Sequence, residues 1–129
     1  MKTVTAIRNL SSREAGWDGH NAPMPQPRAI EHAGRWIEQA YAVVAAAPTV
    51  WHDPYVSSDE SGDVSLEWWN GTRKITVYVT PEIVEYVQMC GPDIVSQMED
   101  GEITCPAVWR KLWDWLGEGV GVLEWRIEV

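Results

Sequence analysis

The segment DVSLEWWNGTRKITVYVT, residues 63–80, constrains this fold more tightly than any other. Asn70-Gly71 is the preferred dipeptide of a two-residue type I′ turn, in which both central residues need positive φ. On either side, residues 63–69 and 72–80 alternate between apolar and polar and read as antiparallel strands. With Asn70 and Gly71 at the tip, Trp69 faces Thr72, Trp68 faces Arg73, Glu67 faces Lys74 and Leu66 faces Ile75. Val64, Leu66, Trp68, Ile75 and Val77 then share one face, while Glu67 and Lys74 form an opposite-charge pair on the other. This pairing sends Trp68 inward and leaves Trp69 on the polar face. A lone hairpin is not stable in water, so its apolar face demands a second layer.

The segment best able to supply that layer is residues 27–47. Pro27 suits a first helical turn, where its missing N–H would have no partner anyway. Ile30, Ala33, Ile37, Ala40, Val44 and Ala47 recur at steps of three and four, and Pro48 ends the run. Residues 106–116 form a second, shorter helix with Trp109, Leu112, Trp113 and Leu116 on one stripe and Gly117 as its stop. Residues 3–15 read as a short first helix carrying Val4, Ile7 and Leu10. Residues 16–27 hold two Gly and three Pro in twelve positions and read as a loop. Residues 50–57 are at best an edge strand because of Pro54. Residues 83–90 are β-branched and aromatic, which favours a strand, although Thr80-Pro81-Glu82 also has the form of a helix start. Residues 93–104 read as a long acidic loop, and residues 122–129 alternate as a half-buried strand. The expectation is a single α+β domain over residues 1–129. An antiparallel sheet of three to five strands packs against one long helix, with a short Trp-rich C-terminal helix.

Charge narrows the partners. Acids number 19 against 10 bases, a net charge of −9. Residues 1–47 hold five bases and four acids, whereas residues 48–129 hold five bases and fifteen acids. A negative surface repels nucleic-acid backbones and anionic membranes, so neither is expected as a partner. No apolar run approaches the roughly 18 residues of a membrane span. The first ten residues lack a signal-peptide core, and with two cysteines this points to a reducing, cytoplasmic location. There are nine Trp and no Phe. Trp fills cores, but it is also favoured at interface hot spots.

Chemistry-bearing patterns are sparse. His20, His32 and His52 have no metal-ligand spacing, and neither a nucleotide-phosphate loop nor a dinucleotide glycine pattern occurs. No metal, cofactor or catalytic residue is therefore assigned. An enzymatic alternative would use Asp18 and His20 in the glycine-rich loop, or Cys90 with a histidine.

Gly16-Trp17-Asp18-Gly19 followed by Ala22-Pro23, the helix from Ala29-Ile30 to Ile37, Val64-Ser65-Leu66-Glu67-Trp68 and Ile75-Thr76-Val77 together resemble a family of small bacterial and phage proteins. The resemblance extends to Val84-Glu85-Tyr86-Val87 and Met98-Glu99-Asp100-Gly101, and so covers most of the chain. It implies no activity and carries over no catalytic residue. Relatives of this type usually have Ser, a better helix cap, where Gln26 stands, which implies a weaker start to the long helix here.

Size, acidity and surplus Trp favour a non-enzymatic protein-binding module acting on a basic protein surface. A phage or mobile-element inhibitor, anti-CRISPR-like or antitoxin-like, fits that class. A structural homodimer is the third reading. The candidate partner-binding residues are the acids Asp59, Glu60 and Asp63 in one polar segment, Glu99, Asp100 and Glu102 in another, and the tryptophans Trp69 and Trp115.

Overall fold

A computed structural model describes residues 2–12, 24–91 and 98–118. Residues 16–23 of the loop read at 16–27 and the strand read at 122–129 lie outside these, as do Asp18 and His20. The elements are α1 (Lys2–Asn9) with a 3₁₀ turn at Leu10–Ser12, α2 (Pro27–Ala45), β1 (Tyr55–Ser58), β2 (Val64–Asn70), β3 (Arg73–Val79), β4 (Val84–Cys90), β5 (Met98–Glu102) and α3 (Pro106–Gly117). The strands form one antiparallel sheet in chain order, β1-β2-β3-β4-β5. This is the expected α+β architecture.

The central hairpin forms, but its tip is Gly71-Thr72. Asn70 pairs with Arg73, Trp69 with Lys74, Trp68 with Ile75 and Leu66 with Val77. Gly71 takes φ +62°, and a glycine in the first central position is the signature of a type II′ turn. Tertiary bonds favour this register over the expected one. With Asn70 in the strand, its Nδ2 donates to the Leu116 carbonyl at 2.7 Å, and its pair mate Arg73 donates to the Trp115 carbonyl. Together they tie the hairpin to the last turn of α3, whose Trp115 carbonyl also accepts from the Glu118 amide. The shift is two residues, so side-chain parity is preserved. Trp68 is 2% exposed and Trp69 52% exposed, as the alternation requires. The Glu67–Lys74 ion pair survives diagonally, at 3.5 Å.

One face of the sheet carries Val64, Leu66, Trp68, Ile75, Val77, Val79 and Val84, all buried. Helices α2 and α3 pack over it and against each other, and α1 packs on α2 and β1. The apolar stripe of α2, Ile30, Ala33, Ile37, Ala40 and Val44, is buried, and Trp36 joins it. The centre of this core is aromatic. Trp68 and Trp109 lie 5.1 Å apart between ring centroids, Trp36 and Trp109 5.1 Å, and Trp109 and Trp113 5.5 Å. Trp51 stacks on Trp113 at 5.6 Å. Buried indoles need acceptors. Trp68 Nε1 donates to the His52 carbonyl at 2.7 Å and Trp109 Nε1 to the Ala40 carbonyl at 3.2 Å.

Residues 83–90 are a strand rather than a helix over most of their length. The Thr80 hydroxyl still caps, accepting from the Glu82 and Ile83 amides at 3.2 and 3.0 Å, but it closes the β3–β4 turn. The expected acidic loop at 93–104 is corrected over Met98–Glu102, which pairs with β4 as the last strand. Its sequence has no β-branched residue. The ladder offered by β4 makes it a strand, and charges with a glycine are ordinary on an edge. Gln26, in place of a capping serine, makes no side-chain cap bond. Its Nε2 instead donates to the Ser61 carbonyl at 3.0 Å and Asp63 Oδ1 at 3.3 Å, tying α2 to the β1–β2 turn.

Candidate functional site

The second face of the sheet has no helix over it among the described residues. Strand register arranges it in three rows. Nearest the Gly71-Thr72 tip run Trp69, Lys74, Met89 and Met98. The middle row is Tyr55, Glu67, Thr76, Val87 and Asp100, and the far row is Ser57, Ser65, Tyr78, Glu85 and Glu102. Tyr55 is 61% exposed and Met98 40% exposed, which with Trp69 puts three large apolar side chains in water on one surface. Scattered exposed apolar residues are ordinary; these three share one sheet face, with Tyr55 and Met98 on its two edge strands. Thr76 and Ser65, between them, are buried beneath longer neighbours.

Among the described residues, the charges on this face are four carboxylates and one lysine. Lys74 is committed locally, to Glu67 and to the Trp69 ring at 5.3 Å. Glu85 stands directly opposite Glu102, with Asp100 two residues along β5. Like charges directly opposite are unfavourable. The β1–β2 and β3–β4 turns bring Asp59, Asp63 and Glu82 to the same end. Two titratable groups here are shifted upward, chiefly by burial and then by nearby acids. The Asp63 carboxyl is pushed above its ordinary range, first by burial and then by Asp59, Glu85 and Glu82. The Tyr78 phenol is pushed up by burial and then by Glu67 and Asp59. The face is therefore apolar at the hairpin tip and negative at the far end.

The expected partner residues divide. Trp69, Asp100 and Glu102 lie together on this face. Glu60 is exposed at the β1–β2 turn. Asp59 is spent on that turn, its Oδ1 accepting from the Ser61 and Asp63 amides, both at 2.9 Å. Glu99 and Trp115 lie on the helix side, where they line a cleft of about 280 Å³ with Tyr86, Gln88 and Lys111. Trp115 is half-buried there, with the Arg73 guanidinium 4.9 Å from its ring. Sequence reasoning missed Tyr55, Tyr78, Glu85 and Met98. The alternation Glu85, Val87, Met89 was the available signal for Glu85.

Neither described histidine stands by Cys90. The Cys90 sulfur is 3.9 Å from the Thr72 hydroxyl, at the hairpin-tip end of the sheet. His32 Nδ1 is 2.7 Å from the Thr80 carbonyl, at the opposite end. His52 lies beside Trp113, and burial lowers its pKa. Among the described residues no group of three or more His, Cys, Asp and Glu is placed to hold a metal ion. No described helix is long and apolar enough to cross a membrane.

Comparison with protein-family models, curated proteins and solved structures finds no match to this chain. The geometry of the open face therefore carries the functional reading.

Proposed function

We propose that this chain is a non-enzymatic protein-binding module whose open sheet face docks on a basic protein surface. The observation that carries the reading is the placement of Tyr55, Trp69 and Met98, exposed, on one face whose charges among the described residues are four carboxylates and a single lysine. Aromatic anchors supply apolar contact and hot-spot energy, while the acids choose the sign of the partner. The same charge set disfavours a second copy of this chain, which would bring carboxylates onto carboxylates, and it repels nucleic acid. An inhibitor that covers a functional basic surface, as expected from the small size, acidity and surplus Trp of the chain, is the most concrete form of this reading.

A photo-crosslinking residue placed at position 69 tests it against the same residue at position 38, on the outer side of α2. In cells, adducts should form from position 69 and not from position 38. The captured protein should be basic, and its capture should fall as salt rises, because salt screens over roughly 8 Å at physiological strength. Equal capture from both positions, or capture of a second copy of this chain, would refute the reading.

A further inference from the structure

We infer that the acidic end of the open face receives an arginine side chain of the partner, its guanidinium lying over Val87 between Tyr78 and the carboxylates of Glu85 and Asp100. The inference rests on the docking reading above and names what the partner inserts. These residues, from three adjacent strands, line a depression of about 320 Å³ together with Tyr86 and Gly101. The strand register sets its chemistry. Tyr78 pairs with Glu85, and Val87 with Asp100, so an aromatic ring and an apolar floor lie beside two carboxylates. Glu102, opposite Glu85, adds a third.

No lysine or arginine stands in the middle or far row of this face. The described cations nearby are already engaged, Lys74 with Glu67 and Arg28 with Glu82. Among the described residues Glu85 and Glu102 therefore face each other across the ladder without a counter-charge on their own surface, an arrangement that a cation from outside relieves. A guanidinium fits better than an ammonium. It is planar, it stacks on an aromatic ring, and it gives parallel N–H groups to carboxylates, whereas an ammonium is a strongly hydrated point charge.

The test titrates the full ¹⁵N-labelled chain with three blocked tripeptides, acetyl-Gly-Xaa-Gly-amide, in which Xaa is arginine, lysine or the uncharged isostere citrulline. The arginine peptide should shift the amides of Glu85, Val87 and Asp100 saturably. It should bind at least threefold more tightly than the lysine peptide, and the citrulline peptide should give no saturable shift. The double variant Glu85→Gln/Asp100→Asn should weaken the arginine peptide at least fivefold and should keep its fold, since it removes repulsion. Tyr78→Leu should abolish the preference for arginine over lysine.

Equal shifts at Glu60 and Asp114 would show general attraction to acids and overturn the inference. A citrulline response, or lysine binding as tight as arginine, would overturn the guanidinium assignment. The two readings fail separately. Crosslinking from position 69 without a peptide response refutes the arginine site alone. A peptide response without crosslinking refutes the docking reading and leaves an arginine-binding depression.

Discussion

The two faces of one sheet obey different rules. On the helix side every apolar side chain of β2 and β3 is buried. On the open side Trp69, one residue from Trp68, stands half in water over Lys74. Adjacent indoles thus serve opposite ends, one the core and one the surface, because successive side chains in a strand point to opposite faces. The comparison teaches that the Trp surplus has two causes. Most described tryptophans build the core, and only Trp69 is left as an exposed contact.

Truncation separates the faces most sharply. Trp68→Ala should cost about 3–5 kcal/mol, because it opens a cavity among Trp51, Trp109 and Trp113. Trp69→Ala should cost under about 1 kcal/mol, as surface substitutions do. Chemical denaturation of both variants is the measurement, and equal losses would mean that the faces are wrongly assigned.

The helix carbonyls supply the next largest effect. Asn70→Ala removes the 2.7 Å bond to the Leu116 carbonyl, a loss of about 0.5–1.5 kcal/mol. The same substitution tests the hairpin tip. If Asn70 were a turn residue with a free side chain, Asn70→Gly would be nearly neutral. In the observed register both variants destabilise, because both lose the bond.

That tip shows how far the sequence was legible. Asn70-Gly71 announced a two-residue turn and the alternation fixed which residues face inward. In the observed turn Asn70 and Arg73 both donate to the end of α3, which is distant in sequence and invisible to a local turn rule. A displacement of two residues changes every partner and no face, so the core expectation survived it. Strand β5 was illegible for the opposite reason. Met-Glu-Asp-Gly-Glu has no intrinsic preference for a strand, and only the edge of β4 makes it one. The open face depended on that strand. Asp100 and Glu102 were readable as acids in a polar segment, but their meeting with Glu85 and Tyr78 is a product of topology. Glu99, grouped with them in sequence, goes to the other side by the same alternation.

Charge tests the open face with a smaller effect. Glu102→Lys converts the like-charged pair with Glu85 into an opposite one, which should stabilise the chain by about 0.2–1 kcal/mol. Thermal melting should rise slightly while capture of the basic partner falls. A variant that gains stability and keeps full capture would break the link between this acidic end and binding.

Acid titration gives the smallest effect and opposes the two regions in sign. His52, packed against Trp113 below the core, has its pKa lowered first by desolvation, partly offset by Asp53. Folded, it binds fewer protons than unfolded, so its contribution is present above its ordinary value of 6.5 and is lost as pH falls through the lowered value. Asp63, at the acidic end of the open face, is shifted upward from 3.8. Folded, it binds more protons than unfolded, so stability is regained as pH falls through its raised value towards 3.8. Asp53, held below its ordinary value chiefly by the Thr3 hydroxyl at 2.6 Å, loses its contribution only at still lower pH. Melting temperature should therefore decline on acidification below about 6.5, and His52→Gln should flatten that decline without touching the lower-pH region. Asp63→Asn should leave the decline intact and remove the partial recovery beneath it. If His52→Gln altered the lower region, or Asp63→Asn the upper one, the two faces would share one electrostatic environment, and their separation by the sheet would not hold.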